Sequence, residues 1–363
     1  MKAWQLERLG GRLELVERPI PEARAGSVVV RIEASALMSY MQPYVEGKLP
    51  IYHAPDRPFI PGGNGVGVIH EVGADVWHLK PGQRVVISSH VVAQENVDEP
   101  GQFLLGVTAL GPVAQQMQSD WPDGTLADYA LLPASVVTPV DGMPLANPAN
   151  LAVLMRYIVP FGGLLRGRLA VGETLVVSGA TGAYGGAAVL LGLAMGAARV
   201  VAVGRNAVAL DAIARAGGSR VVPVQATGDM AADIASIRKA AGGGAHLAFD
   251  MVGGAHDPNL TLAALRSLRR EGRLVLMGSM TVPLPVPYLE LMFNGWEIIG
   301  HFMYPRDAWL RLFDLVRAGL LDLEAIRPCP RPLSELPEAM GEAMTAGSLE
   351  CVVMLHGAYS CAS

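Results

Sequence analysis

The chain has 363 residues and a net charge of −5, with 51% hydrophobic and 17% charged residues. This length suggests about two domains at ~150 residues each, and the composition can bury a large core, which argues against disorder. No basic tract is present, so nucleic acid is not an expected partner.

The N-terminal stretch MKAWQLERLGGRLELVERP carries charges throughout and lacks the apolar region of a secretory signal. The most apolar window, 173–204, is interrupted by glycines, so we predict strand, turn and helix rather than a membrane span. The three cysteines, Cys329, Cys351 and Cys361, form no CxxC pair. This usage favours a reducing, cytoplasmic location.

The first ~150 residues contain short β patterns separated by Pro/Gly turns. The predicted strands are 27–37, 65–73, 82–90 and 126–140. Between Val91 and Thr125 the periodicity is lost, which is typical of a functional loop or an ornament on the fold. We therefore predict an irregular antiparallel β domain over residues 1–150.

After residues 144–155 the pattern changes, and predicted strands alternate with predicted helices over residues 151–324. The strands are 174–180, 199–205, 221–224, 245–253 and 273–279. The helices are 185–197, 206–218, 229–241 and 259–272. This alternation predicts an α/β fold with a doubly wound parallel sheet. A helix and a strand are expected near the C-terminus.

Two glycine clusters compete for the role of a phosphate-binding loop. The first, in PFIPGGNGVGVIHEVG, is followed by a β pattern. The second, SGATGAYGG, contains Gly179, Gly182, Gly185 and Gly186 and joins a predicted strand to a predicted helix. A dinucleotide fingerprint requires that strand–turn–helix context, because the helix N-terminus supplies N–H groups to the pyrophosphate. We therefore assign the cofactor loop to SGATGAYGG.

The strand that follows ends in Gly204, Arg205 and Asn206, with no acidic residue for the ribose hydroxyls. Glycine leaves room for a 2′-phosphate, and the arginine can neutralise it. This pattern favours NADP(H). The alternative is that Arg205 caps the strand and stacks on adenine, which leaves NAD(H) usable.

Several landmarks together resemble the medium-chain dehydrogenase/reductase superfamily over essentially the whole chain. They are MKAW, VVVRIEASAL, PFIPGGNGVGVIHEVG, PGQRV, GATGAYG, FDMVGG and LVLMGS. The resemblance implies a Rossmann dinucleotide-binding domain over 151–324. It also implies a GroES-like catalytic and substrate domain over 1–150, completed by about 325–363.

In the zinc-dependent branch of that superfamily, the catalytic ligands would fall on Met38, Gly63 and about Leu154 or Met155. None of these is an ordinary zinc ligand. The segment where a structural zinc lobe would stand contains no cysteine. The chain is therefore more similar to the zinc-free quinone oxidoreductase and enoyl reductase branch, and we expect no metal.

The resemblance also implies site residues. Cofactor contacts fall on the loop residues Thr181, Ala183 and Tyr184, on strand ends at Val252, Met277, Gly278 and Ser279, and on Phe302 and Met303. The strand end Asp250–Val252 is expected to flank a cofactor ribose, with Asp250 orienting backbone rather than acting as an acid or base. Tyr40 stands two positions past the lost cysteine, where a proton-relay residue is common, and is the first catalytic candidate; Tyr157 is a weaker one. The substrate pocket is expected to include Met38, Met41, Tyr44 and Asn64.

The leading expectation is NADPH-dependent hydride transfer to an activated C=C bond or a quinone. Zinc-independent carbonyl/alcohol chemistry with Tyr40 as the acid is one alternative, and a catalytically silent NADP(H)-binding sensor is another. The segment 285–304 matches the region through which the superfamily pairs edge strands, so a homodimer is expected. A small carbonyl, enone or quinone is the expected substrate.

Overall fold

The computed structural model describes residues 1–143 and 147–357, and the chain divides into two compact units. Unit 1 contains Met1–Met155, Pro328–Ala346 and Cys351–Ser363, described as far as residue 357. Unit 2 contains Arg156–Arg327 and Gly347–Glu350. The predicted fold class is confirmed, since unit 1 is β-rich and unit 2 holds a parallel sheet.

The described residues of the first part of the chain, 1–143 and 147–152, contain nine strands and three short α-helices. The strands are β1 (Lys2–Leu6), β2 (Leu13–Glu17), β3 (Ser27–Ala36), β4 (Gly65–Val72), β5 (Arg84–Ile87), β6 (His90–Val92), β7 (Gln102–Leu104), β8 (Tyr129–Pro133) and β9 (Val137–Pro139). The helices are α1 (Met41–Val45), α2 (Pro112–Asp120) and α3 (Pro148–Ala152).

The helix α4 (Leu154–Arg166) leads into the alternating part of the chain. Its strands are β10 (Thr174–Ser178), β11 (Arg199–Gly204), β12 (Val221–Gln225), β13 (Ala245–Asp250), β14 (Leu268–Leu276) and β15 (Glu297–Gly300). Its helices are α5 (Ala183–Ala194), α6 (Ala207–Gly217), α7 (Met230–Ala240), α8 (Asn259–Arg266), α9 (Tyr288–Asn294) and α10 (Ala308–Arg317). The chain ends with β16 (Arg327–Pro332), α11 (Leu336–Thr345) and β17 (Glu350–Leu355).

Unit 2 is organised by a six-stranded parallel sheet in the order β12-β11-β10-β13-β14-β15. The central strands read as near-continuous apolar runs, and Val176, Val201 and Phe249 are fully buried. Such runs are typical of parallel strands that are covered on both faces. The strand order reverses beside β10, so the loops that follow β10 and β13 lie where doubly wound folds bind ligands.

Unit 1 is built on an antiparallel sheet in the order β16-β17-β3-β4-β5-β9, with β8 also paired to β3. The ten-residue strand β3 is central and almost wholly buried. Two smaller hairpins, β1-β2 and β6-β7, lie outside this sheet. The C-terminal strand β17 pairs with β3.

Two sequence predictions need correction. The helix predicted over 259–272 ends at Arg266, and β14 begins at Leu268, which is buried while the next three residues are exposed. Glu271 has a φ of 60°, which no helix accommodates. The segment 91–125 is also more regular than predicted, since it contains β7 and α2, whose N-terminal Pro112 has the fixed φ that starts a helix well.

Two further predictions concern membranes and redox state. Residues Pro148–Arg166 have the length and apolarity of a span, but 83% of that window is buried inside the protein, as in a core helix. Cys329 and Cys351 are free thiols, while Cys361 lies outside the described residues. The cytoplasmic location remains a prediction.

Candidate cofactor and active site

The loop after β10 has the features required of a phosphate cradle. Gly179 has a φ of 77°, a conformation that side-chain-bearing residues rarely adopt. The next helix, α5, begins after Gly182 and has no acidic residue in its first turn. No side chain caps this N-terminus, and the N–H groups and positive dipole end of a helix N-terminus favour an anion.

Gly185 allows α5 to pack directly on this loop. A Cβ atom built there would lie under 3.0 Å from the carbonyl oxygen of Gly179 and the Cα of Ala180, closer than real Cβ atoms come. Gly185 is itself buried in the helix. Gly185 thus lets the helix N-terminus lie close to the loop, which is one of the functions of glycine in a dinucleotide-binding fingerprint.

A cavity of about 470 Å³ opens beside the loop within unit 2. Six of the residues predicted to bind cofactor line it, namely Gly179, Thr181, Gly182, Gly204, Arg205 and Val252. Met251, from the strand end expected to flank a ribose, also lines it. Further lining residues that the sequence analysis did not select are Ala226, Gly228, Asp233, Gly253, Gly254, Ala255, His256, Asp257, Asn259 and Leu260. Its volume suits part of a dinucleotide.

The lining residues that were not predicted from the sequence come mainly from the segment after β13. The sequence signal was present in FDMVGG, where two glycines follow an apolar strand. A second missed contribution is Asp233 on α7, which is buried and accepts hydrogen bonds from the Thr227 and Gly228 backbone N–H groups at 2.8 and 3.2 Å. This carboxylate shapes the turn after β12.

Nine other predicted cofactor residues do not line this cavity: Ala183, Tyr184, Gly185, Asn206, Met277, Gly278, Ser279, Phe302 and Met303. Asn206 caps α6, its side chain accepting from the Ala209 N–H at 3.1 Å. Gly278 lies against the backbone of Val252, and Ser279 lies beside Gly253. Phe302 is exposed, while Met303 is buried with a φ of 59°. Their roles in cofactor binding remain predictions.

Arg156 is a charged residue that the sequence analysis missed. It lies on α4 in an otherwise apolar run and is 2% exposed. Its guanidinium carbon lies 5.8 Å from the ring centroid of Tyr184, at the start of α5. The distance fits a cation–π contact, so this arginine places positive charge beside the phosphate loop.

At the end of β11, Gly204 and Arg205 both line the cavity. A Cβ atom on Gly204 would lie under 3.0 Å from the side chain of Thr181, so the glycine makes room for the phosphate loop. The side chain of Arg205 is exposed, and its backbone carbonyl accepts from Gln225 at 3.2 Å. A cation is therefore available at the place where an acidic residue would select NAD(H).

Asp250, at the end of β13, is the buried ionisable group nearest in sequence to the segment after β13 that lines the cavity. Its Oδ1 accepts hydrogen bonds from the hydroxyls of Ser178 at 2.7 Å and Thr261 at 3.2 Å. The Val252 N–H also donates to its carboxylate. Burial raises the pKa of Asp250 to about 6, against the effect of these three donors.

Tyr40, the first catalytic candidate, belongs to a cluster of three tyrosines in unit 1. Its ring centroid lies 5.7 Å from that of Tyr52, which in turn lies 5.6 Å from Tyr44. A side-chain hydrogen bond joins Tyr40 and Tyr52. Burial raises the pKa of both Tyr44 and Tyr52. Tyr40 and Tyr52 are partly exposed, whereas Tyr44 is fully buried.

Tyr157, the second candidate, is fully buried in unit 2, and its hydroxyl donates to the backbone oxygen of Asp322 at 3.4 Å. This position suits a packing residue better than a proton donor. In the predicted substrate pocket, Met41 and Tyr44 are also fully buried. Asn64 is partly exposed and accepts from the Ala36 N–H at 3.1 Å.

Unit 1 offers a poor fit to a catalytic zinc. A Cβ atom on Gly63 would lie under 3.0 Å from the carbonyl oxygen of Leu105, so backbone fills the space that a ligand side chain would need. Met38 is a buried thioether, and Leu154 has no donor atom. Within residues 1–143 and 147–357, no three His, Cys, Asp or Glu side chains are grouped to hold a metal ion.

Comparison with known proteins supports the same architecture. A model of the alcohol dehydrogenase GroES-like domain matches residues 24–142, and a model described as zinc-binding dehydrogenase matches residues 183–318. An alcohol dehydrogenase from Moraxella sp. (strain TAE123) is 30% identical over 336 residues, which cover 88% of this chain and 89% of that protein.

An L-threonine 3-dehydrogenase from Anaeromyxobacter dehalogenans (strain 2CP-C) is 27% identical over 322 residues, with 85% of each chain covered. The solved structure of a thermostable alcohol dehydrogenase from Pyrobaculum aerophilum superposes with a TM-score of 0.77 at 22% identity. That superposition covers 98% of this chain and 99% of the other, and it establishes likeness of fold.

The two matched domain models and the dehydrogenase relatives define an NAD(P)-dependent oxidoreductase. The chain belongs to the medium-chain dehydrogenase/reductase superfamily.

Proposed function

We propose that this protein is an NADPH-dependent reductase that acts without zinc and transfers hydride to an activated C=C bond or a quinone. The observation that carries the proposal is the position of Gly63. Backbone from Leu105 occupies the place where a ligand side chain would begin. The other two ligand places hold Met38 and Leu154 or Met155, which do not suit zinc.

When bound, the nicotinamide cofactor supplies the hydride. The protein contributes position and electrostatics. The first turn of α5 and the loop from Gly179 to Gly182 would hold the pyrophosphate, and Arg205 would hold a 2′-phosphate. A reduced enone develops negative charge on its carbonyl oxygen, and that charge needs a hydrogen-bond donor. Tyr40 is the donor we assign to it.

The experiment compares a cyclic enone and a quinone with the matching ketone and alcohol, with NADPH and after treatment with a strong chelator. We expect reduction of the enone or quinone, at a rate that the chelator leaves unchanged. Turnover confined to the ketone/alcohol pair would contradict the C=C assignment. Loss of activity on chelation, restored by Zn²⁺, would contradict zinc independence.

A second function is carbonyl/alcohol chemistry with Tyr40 as the acid. Two observations favour it: the Tyr40–Tyr52 hydrogen bond, which can relay a proton between phenols, and the dehydrogenase names of the relatives. We expect Tyr40→Phe to lower kcat about 100-fold for the carbonyl couple. Tyr44→Phe is the matched control, because that hydroxyl is buried against the Gly106 carbonyl. NADPH binding without turnover of any substrate would favour a sensor instead.

The preference for NADP(H) is tested at Arg205. We expect Arg205→Ala to weaken NADPH binding about tenfold and NADH binding much less, because a charge-assisted contact to the 2′-phosphate is lost. The control is Arg215→Ala, which removes a different exposed arginine that lies on α6. Equal weakening for both cofactors would indicate that Arg205 stacks on adenine.

We also propose a homodimer formed through the edge of the parallel sheet. β15 is the terminal strand of that sheet, and the neighbouring helix α9 exposes Tyr288 and Phe293 at 75% and 68%. A second copy would cover this apolar surface. Light scattering at micromolar concentration is expected to give twice the chain mass, and a monomer would contradict the proposal.

A further inference from the structure

A second cavity of unit 2, of about 310 Å³, lies at the opposite end of the parallel sheet from the proposed cofactor loop. Its lining residues stand just before β10 or near the beginnings of β13, β14 and β15, whereas the cofactor cavity follows the carboxyl ends of the strands. We call it the arginine cavity, because it is lined by one histidine, three glutamates and the four arginines Arg168, Arg269, Arg270 and Arg273.

The sheet register explains why two arginines lie beside one histidine. The pairing of β13 with β14 shifts around His246, which is the single residue of β13 between two paired positions. In the same interval β14 has the four residues 269–272, and a bulge of this kind re-aims side chains. It places Arg269 and Arg270 in the cavity lining. A hydrogen bond from the Trp296 indole to the Arg269 carbonyl, at 2.8 Å, anchors the bulge.

The glutamates of the cavity do not neutralise these two arginines through ion pairs. Glu297 bonds Arg168 through both carboxylate oxygens, at 2.6 and 2.7 Å. Glu173 accepts from Arg273 at 2.5 Å and from a backbone N–H at 3.0 Å. The third, Glu271, is exposed and forms no ion pair within the described residues. The positive charge of the bulge is therefore left without a paired carboxylate in the described part of unit 2.

His246 faces a donor at each of its ring nitrogens. Its Nδ1 accepts from the Thr174 N–H at 3.1 Å, so the ring proton is on Nε2. Burial, and then the charge of Arg269, lower the pKa of His246, which keeps the ring neutral at pH 7. Nη1 of Arg269 lies 2.9 Å from Nε2, and a guanidinium N–H can only donate. Two donors therefore meet with no acceptor between them.

An anion with several oxygen atoms satisfies this arrangement. One oxygen between Arg269 and His246 Nε2 would accept from both, and the Arg269 side chain is exposed, so it can rotate to admit the anion. Another oxygen would accept from Arg270. A phosphate group has three acceptor oxygens and up to two negative charges, whereas a carboxylate has two oxygens and one charge. The donors of the bulge therefore suit a phosphate group better than a carboxylate.

We propose that the arginine cavity binds a phosphate group, as inorganic phosphate or as part of a small phosphomonoester, through Arg269, Arg270 and the Nε2–H of His246. The cavity volume lies at the lower end of the range for small-molecule sites, ~300–1,000 Å³, so a small organic part can accompany the phosphate. The five residues of β10 separate the two ends of the sheet by about 16 Å. This ligand would therefore not compete with the cofactor.

The test measures the Kd of inorganic phosphate and of glycerol 3-phosphate by calorimetry, at pH 8 and low salt, with the full-length protein. We expect Arg269→Ala to weaken the binding of both about tenfold, because a charge-assisted hydrogen bond is lost. Arg269→Lys keeps the charge and is expected to recover part of the affinity. Arg215→Ala, which removes an exposed arginine from α6, is the matched control and should bind like the wild type. The tighter of the two probes identifies the source of the phosphate group. Absence of binding of either probe to the wild type, or equal affinity of Arg269→Ala and the wild type, would overturn the inference.

Two further measurements locate the bound phosphate. Arg205→Ala lies in the cofactor cavity, which also attracts phosphate, and we expect it to leave the affinity for inorganic phosphate unchanged. Loss of binding in Arg205→Ala with normal binding in Arg269→Ala would assign the anion to the cofactor loop and reject this site. In nitrogen-15 NMR spectra of the histidine rings, phosphate should shift the Nε2 signal of His246, identified by its absence from His246→Gln. An unshifted signal at saturating phosphate would also contradict the proposal.

Discussion

The two glycine-rich segments of this chain have similar composition and opposite uses. In unit 1, the residues Gly62–Gly67 are enclosed by other backbone: the Gly62 N–H donates to the Gly106 oxygen, and the Gly62 oxygen accepts from the Thr125 N–H. In unit 2, the segment 179–186 presents one face to a cavity and begins a helix whose N-terminus has no side-chain cap.

The difference lies in what occupies the space of the missing side chains. At Gly63 and Gly67 that space is filled by the backbone of Leu105 and Arg31. At Gly182 the nearest atom to a built Cβ is 3.3 Å away, and the residue lines the cavity. Glycine thus serves close packing of β structure in the first segment and access for a ligand in the second.

The largest effects are expected from a matched pair of substitutions, Gly185→Ala and Gly67→Ala. Each adds a Cβ atom under 3.0 Å from a backbone oxygen, that of Gly179 or Arg31. We expect Gly185→Ala to weaken cofactor binding about 100-fold, equal to ~3 kcal/mol, because the helix must move away from the phosphate loop. The measurement is the Kd of NADPH by fluorescence.

For Gly67→Ala we expect a loss of about 3 kcal/mol in the free energy of unfolding, with little change in cofactor affinity of the folded fraction. Denaturant unfolding followed by the Kd measurement checks both values. If Gly67→Ala weakened cofactor binding as much as Gly185→Ala, the assignment of separate roles to the two segments would be wrong.

The fold and the strand–turn–helix context of the proposed cofactor loop could be predicted because their signals are local. β10, the glycine turn and α5 follow one another within about 20 residues. The period of the apolar residues and the spacing of the glycines can both be read directly from that stretch of sequence. The end of α8 was misjudged because Arg269, Arg270 and Glu271 fit an exposed helix face as well as an exposed strand.

The rest of the site depends on contacts between residues far apart in sequence. Tyr157 resembles any other tyrosine until the structure buries it against Asp322. Asp250 was assigned to backbone orientation at a strand end, but the convergence of Ser178 and Thr261 on its carboxylate requires the sheet order. The positive charge of Arg156 beside Tyr184 likewise depends on the packing of α4 and α5.

The two units also differ in the pKa shifts of their buried titratable groups. In unit 1, His356 is 1% exposed, donates from Nδ1 to the Ala127 oxygen at 2.9 Å and accepts at Nε2 from the Ser35 hydroxyl at 3.1 Å. Burial lowers the pKa of His356 to about 4. The hydrogen bond to the Ala127 carbonyl and the charge of Asp128 act in the opposite direction, but their effect is smaller. In unit 2, burial raises the pKa of Asp250 to about 6.

These opposite shifts predict opposite effects of acid on the two units. Between pH 6.5 and 4 the unfolded chain protonates His356 and the folded chain does not, so the unfolding free energy of unit 1 falls by about 3 kcal/mol as pH is lowered. Asp250 binds its proton more tightly in the folded state, so its contribution to unit 2 increases as pH falls through about 6 towards 4. Hydrogen exchange, corrected for intrinsic rates and read separately from peptides of each unit, measures both trends. His356→Asn should flatten the profile of unit 1 alone and Asp250→Asn that of unit 2 alone. Parallel profiles in both units, unchanged by either substitution, would show that neither buried group controls the response to acid.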